Sequence, residues 1–93
     1  FPRVFRDLSF LVPGSIAYGE LEELIRRTLD GTSFEEIRVS DLYRGKGIEP
    51  GYKSITVTLA FESFDKTLTD DEINTLIELV LRETEKIGVK LRG

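Results

Sequence analysis

Three consecutive acids, Asp70-Asp71-Glu72, and the adjacent pair Arg6-Asp7 are where this sequence first invites a chemical reading. Acids can hold a hard cation, but three side chains fanning out from the start of one helix do not converge as an octahedral oxygen cage requires. Thr69 and Glu72 also stand at capping-box spacing, which gives the segment a structural role. Arg6 and Asp7 could pass for an ion pair or an acid–base dyad, yet neighbours on a strand point to opposite faces. Arg6 is expected instead at a strand edge or against a neighbouring domain. The chain holds no cysteine and no histidine, which removes disulfides, thiolate nucleophiles, iron–sulfur clusters, cysteine-ligated zinc, the commonest general base and the commonest metal ligand. Carboxylates, lysines, hydroxyls and tyrosines remain. The expectation is a domain with no catalytic residue, no metal site and no cofactor of its own.

The elements that would position these groups fit one small domain. With 93 residues, 40% of them apolar, the chain can close a single core over residues 1–93 and is too short for two. No run of about 18 apolar residues appears, and Phe1-Pro2-Arg3 lacks the layout of a secretory signal. A soluble, cytoplasmic domain without membrane contact is expected. A start without methionine that leads almost at once into a strand reads as a fragment of a longer chain.

Val4, Leu8, Phe10 and Val12 recur on one side of an alternating pattern and predict a first strand over 4–12. After Pro13-Gly14, the residues Leu21, Leu24, Ile25, Thr28 and Leu29 follow helical spacing, with Asp30-Gly31 as the stop. Ile37 and Val39 alternate with Glu36, Arg38 and Ser40 in a second strand. The glycine-bearing stretch 44–51 turns the chain into a third strand, with Ile55, Val57, Leu59 and Phe61 on one face and Ser54, Thr56, Thr58 and Ala60 on the other. The capping box opens a second helix with the stripe Ile73, Leu76, Ile77, Val80, Leu81, Thr84 and Ile87, ended by Gly88. Val89-Lys90-Leu91-Arg92 returns as a short last strand.

Strand, helix, strand, strand, helix, strand, with one apolar face per strand, predicts an α+β, ferredoxin-like βαββαβ sandwich: a four-stranded antiparallel sheet with two helices on one face. That fold hosts many functions, so function must come from sites. Ferredoxins and metallochaperones need cysteine ligands. An RNA-recognition motif would carry aromatics where this third strand has Ser54, Thr56, Thr58 and Ala60. Acylphosphatase-like hydrolysis needs an arginine in an anion-cradling loop, and Val12–Ile16 has none. Charge is unevenly placed: the two helical segments, 18–30 and 69–87, hold ten acids and four bases, while the whole chain sums to only −4. The sheet and its loops are therefore mildly basic, and local Lys and Arg can attract a phosphate backbone despite the acidic total. Ordinary solvation of helices by glutamate explains the same asymmetry.

Specific resemblance begins at the hairpin. Arg6-Asp7-Leu8-Ser9-Phe10, Asp41-Leu42-Tyr43-Arg44-Gly45 with Lys53-Ser54 downstream, Thr67 through Asn74, and the closing Leu91-Arg92 together resemble the ferredoxin-fold anticodon-binding domain of bacterial-type phenylalanyl-tRNA synthetase beta subunits, in register from Phe1 to Gly93. Ser40 departs from it, standing where relatives carry phenylalanine. The resemblance implies a non-catalytic domain that binds the tRNA anticodon loop, with contacts at Asp41, Tyr43 and Ser54. It also implies a larger enzyme in which this domain joins the rest of the beta subunit and an alpha subunit in a heterotetramer of two alpha and two beta chains. ATP and magnesium would belong to that enzyme's distant catalytic centre. The implied chemistry is sound: an ionised Asp41 is an acceptor-only group that can take both Watson–Crick N–H donors of guanine, the first base of the phenylalanine anticodon. Tyr43 can stack an unpaired base, Ser54 can donate or accept beside it, and Arg44, Lys46 and Lys53 are expected around them to meet phosphates. Taken without the resemblance, Asp41 reads as a turn former, Tyr43 as a half-buried anchor and Ser54 as a strand-edge hydroxyl.

One alternative from another class stays open. The exposed sheet face, expected to hold Phe5, Ser9, Leu11, Leu42, Thr56 and Thr58, would serve a non-RNA regulatory or assembly module that packs on a protein or metabolite.

Overall fold

Period-two alternation places Leu8, Phe10 and Val12 on one buried face of β1 (Val4–Pro13) and Ile55, Val57, Leu59 and Phe61 on one fully buried face of β3 (Tyr52–Phe61). In the computed structural model, which describes residues 1–92, these two strands pair antiparallel along their whole length, from Val4 opposite Phe61 to Pro13 opposite Tyr52. The sheet is completed by β2 (Phe34–Tyr43) beside β3 and β4 (Lys90–Leu91) beside β1, in the order β2-β3-β1-β4, with every pairing antiparallel. Helices α1 (Tyr18–Thr28) and α2 (Asp70–Glu85) cover one face, and Leu21, Ile25, Leu29, Ile73 and Val80 join the strand side chains in a single core. This is the ferredoxin-like βαββαβ sandwich expected from the element order. Fully burying a side chain the size of Phe10 or Phe61 contributes about 1.5–3 kcal/mol, so this shared core dominates the stability.

The helix ends follow the chemistry of their residues. At α2 the Thr69 hydroxyl accepts from the Glu72 N–H at 3.1 Å while the Glu72 carboxylate accepts from the Thr69 N–H at 3.2 Å, a complete capping box. The Lys66 ammonium also donates to Glu72; this bond, followed by that from Thr69, holds the Glu72 carboxyl below the usual carboxylate range. Asp70 accepts from the Arg6 guanidinium at 2.9 Å. Two of the three acids at this helix start, Asp70 and Glu72, are thus committed to an ion pair and to capping. Arg6 also donates to its neighbour's carbonyl at Phe5, which ties the guanidinium along the strand edge.

Three expectations need correction. Ile87 is 39% exposed, because α2 ends at Glu85 and the chain has already turned toward Gly88. The last strand is confined to Lys90 and Leu91, although the Arg92 N–H still donates to the Ser9 carbonyl at 2.7 Å. Leu42 does not lie on the open face, for a reason that belongs to the site. Among the described residues, no helix is long and apolar enough to cross a membrane. Tyr18, at the start of α1, packs against the core with a buried hydroxyl that has no hydrogen-bond partner among the described residues. Burial, and then the nearby Glu22 carboxylate, push its phenol up to about 12.

Candidate nucleic-acid interface

Which way the side chains of β2 point is decided by two irregularities. Ile37 lies opposite Leu59 and Val39 opposite Val57, both on the helix side of the sheet. Unbroken alternation would carry Asp41 and Tyr43 to that side as well. The pairing instead slips at Ser40, an extra residue, so that Asp41 faces Thr56 and Tyr43 faces Ser54. Directly opposed residues share a face, and the bulge therefore delivers Asp41 and Tyr43 to the open side. The Ser40 hydroxyl donates to the Thr56 carbonyl at 3.3 Å within this bulge. The same shift puts Leu42 opposite Ile55, on the helix side, where it is 51% exposed on the edge strand of the sheet. A second slip at Glu35 turns Phe34 inward, where its ring meets Phe61 edge to face at a 6.2 Å centroid distance.

Asp41 is exposed, and its carboxylate has no hydrogen bond or ion pair among the described residues. Two residues along, and thus about 7 Å away on the same face, Tyr43 is 41% exposed and donates its hydroxyl to the Lys46 carbonyl at 2.6 Å. That bond leaves the ring available while fixing the loop that carries Arg44 and Lys46, both exposed. The loop is further held by the Ile48 N–H on the Gly45 carbonyl at 2.9 Å and by the burial of Ile48. At its base the Gly14 N–H donates to the Gly51 carbonyl at 2.7 Å, and a Cβ at residue 14 would sit 3.1 Å from that oxygen. A side chain there would crowd the carbonyl, which would have to give by a few tenths of an ångström.

Ser54 stands beside Tyr43 on the same face, but only 2% of it is exposed, and its hydroxyl accepts from the Arg92 guanidinium at 3.3 Å. Arg92 thus covers the serine that was expected to be an open contact. Lys53 is a clearer correction. It lies opposite Val12 on the helix side and is 6% exposed, so it adds its stem to the packing and does not ring the patch with charge.

The register also brings in residues that the hairpin sequence alone did not single out. Across the open face, Tyr43, Ser54, Leu11 and Lys90 form one row, and Asp41, Thr56 and Ser9 form the next, with Arg92 bonded to Ser9 at its end. A third row holds Arg38, Thr58 and Asp7. Polar side chains between the strands satisfy one another: the Ser9 and Thr56 hydroxyls are 2.7 Å apart, and the Thr58 hydroxyl donates to the Asp7 carboxylate at 2.6 Å. The cations are sorted by side. Arg3, Arg6, Arg26, Arg27, Lys66 and Lys86 are tied in ion pairs. Of the bases without a pair among the described residues, Arg38, Lys90 and Arg92 face the open sheet, Arg44 and Lys46 sit on the hairpin loop, Lys53 is buried on the helix side, and Arg82 belongs to a helix. Counting alternation back from the closing Leu91-Arg92 would have assigned Lys90 and Arg92 to this face.

Comparison with known proteins agrees with this architecture. The family described as ferredoxin-fold anticodon binding domain matches residues 1–92. The chain is 38% identical over 93 residues to a phenylalanine–tRNA ligase beta subunit of Syntrophotalea carbinolica, covering 99% of this chain and 11% of that protein. It is 37% identical over 93 residues to the beta subunit of Thermotoga maritima, covering 99% of this chain and 12% of that one. A Clostridium acetobutylicum beta subunit matches at 37% over the same share of each. The chain spans roughly a tenth of the length of these relatives. On residues matched, element order and sheet topology together, the chain belongs to the ferredoxin-fold anticodon-binding domain family, in the form found in phenylalanine–tRNA ligase beta subunits.

Proposed function

We propose that this domain binds the anticodon loop of phenylalanine tRNA, reads guanine at its first position, and does so as a non-catalytic part of a phenylalanyl-tRNA synthetase. The observation that carries the reading is an Asp41 carboxylate without a partner among the described residues, beside an exposed Tyr43 ring on the open face of the hairpin. Guanine offers two N–H donors to such an acceptor, while adenine has no matching donor pair. Tyr43 stacks the base, with about 1–3 kcal/mol for a base–aromatic contact. Arg44 and Lys46 meet the backbone from the loop. Ser54 acts through Arg92, whose guanidinium it helps to hold above the sheet. Lys53 supports the strand from behind. Binding energy is the domain's contribution; ATP, magnesium and aminoacylation belong to the rest of the enzyme, with the remaining beta subunit and the alpha chains as partners in a heterotetramer working in the cytoplasm.

The test is titration of an anticodon stem-loop with guanine first against the same loop with adenine first, at several salt concentrations. Tighter binding of the guanine loop supports the reading. Equal binding of the two loops removes it.

A further inference from the structure

Resting on that reading, we infer that the loop strand crosses the sheet from β2 to β4, and that Lys90 holds a backbone phosphate at the far edge. Lys90 lies in the same row as Tyr43, with Ser54 and Leu11 between them. Three strand spacings separate the ends of that row, about 14 Å, a span that a few nucleotides of an unpaired loop can bridge. The floor between them suits such a path. Ser54 is buried and Leu11 is half-buried, so neither presents an unpaired charge, and the neighbouring Ser9 and Thr56 hydroxyls are already bonded to each other. A base stacked on Tyr43 can therefore be followed by others lying flat over this surface, while the backbone meets Lys90 and its neighbour Arg92.

Electrostatics favours this direction over the other one available. A strand running lengthwise down the face, from Tyr43 toward Phe5, would pass the Asp7 carboxylate and then Glu36, which lies in the row of Ala60 and Phe5. The cation nearest that end, Arg3, is already paired with both Glu36 and Glu62. Toward β4 the described residues of the open face present cations: Lys90 is exposed, and no carboxylate pairs with it among the described residues. A polyanion follows the free positive charge. Among the described residues, Arg38 is the one free cation on the lengthwise path, and it serves as the internal competitor.

The experiment measures affinity of the guanine-first stem-loop for the 93-residue chain as a function of salt, for the wild type and for Lys90→Gln, Arg38→Gln and Arg82→Gln. For single strands each neutralised phosphate contributes about 0.7 to the slope of log affinity against log salt. Lys90→Gln is expected to lower that slope by about this amount and to weaken guanine-first and adenine-first loops by the same factor, because phosphates carry no sequence. Arg82→Gln on the helix layer is expected to change neither. An unchanged slope in Lys90→Gln with a lowered slope in Arg38→Gln would show a lengthwise path and overturn the inference, leaving the anticodon reading intact. Equal slope changes in Lys90→Gln and Arg82→Gln would also overturn it, as a diffuse effect of net charge. Loss of all base preference in the wild type would instead overturn the reading beneath it.

Discussion

Replacing Asp41 by asparagine changes one atom of an exposed side chain and nothing that the fold uses. The carboxylate accepts no hydrogen bond and joins no ion pair among the described residues, so the stability change should stay within about 0.5 kcal/mol, as for most surface positions. The effect on binding should be far larger. A carboxylate can accept from both N–H donors of guanine; an asparagine amide offers one acceptor and sets its own NH2 against the second donor. A lost bidentate base contact costs about 1–3 kcal/mol, or roughly a 5- to 150-fold rise in Kd. The open setting of Asp41 argues for the lower half of that range, since solvent competes for the same bonds. The assay is a double-mutant cycle: wild type and Asp41→Asn, each titrated with guanine-first and adenine-first stem-loops, with thermal unfolding alongside. A coupling of about 1 kcal/mol or more is expected, with the adenine loop indifferent to the substitution. A coupling of zero in proteins that unfold at the same temperature would refute the assignment of Asp41 to the first base.

Tyr43→Phe keeps the ring but deletes the bond to the Lys46 carbonyl, so base stacking should survive while the domain loses about 1 kcal/mol of stability by denaturant titration, whereas Tyr43→Ala should lose both. Tyr18→Phe removes a buried hydroxyl that has no partner among the described residues and should be neutral or stabilising by up to about 1 kcal/mol in the same assay. The folded-state Glu72 carboxyl sits below its ordinary value, so its contribution is fully present above that value and is lost as pH falls through the lowered one; Glu72→Gln should flatten the acid side of the stability–pH curve. Deleting Ser40 should remove the bulge and leave Asp41 opposite Thr56, so preference for the guanine loop should persist; loss of that preference in a folded deletion variant would show that the bulge's local twist aims the site.

Much of the fold was legible because the sequence repeats the same instruction at several levels. The apolar face of β3, the stripe of α2 and the Thr69–Glu72 capping box each call for one structure locally, and the packed domain uses all three. Ile87 fits the helical spacing of the stripe and still lies in solvent, since periodicity describes a face and is silent on where the helix stops short of it. Lys53 is instructive for the opposite reason. Composition places a lysine at the surface, yet its position opposite Val12 commits its stem to the packed side of the strand.

The side on which the site stands is a property of pairing, and pairing is where single-strand reading fails. In isolation, Ile37, Val39, Asp41 and Tyr43 share one parity, so period-two reasoning assigns the acid and the phenol to the buried face or breaks the strand before them. Only β3 shows otherwise, because one residue of β2 is left without a counterpart and every later side chain changes sides. The polar face of β3 held the clue: Ser54 and Thr56 alternate with Ile55 and Val57, and a partner for them must itself be polar. Asp41 and Tyr43 meet that demand and Leu42 does not, so the mismatch in spacing between the two polar pairs already required an extra residue near Ser40. Site geometry here follows from matching two strands against each other, and the same matching across β1 and β4 sets Lys90 and Arg92 on the open side beside Asp41 and Tyr43.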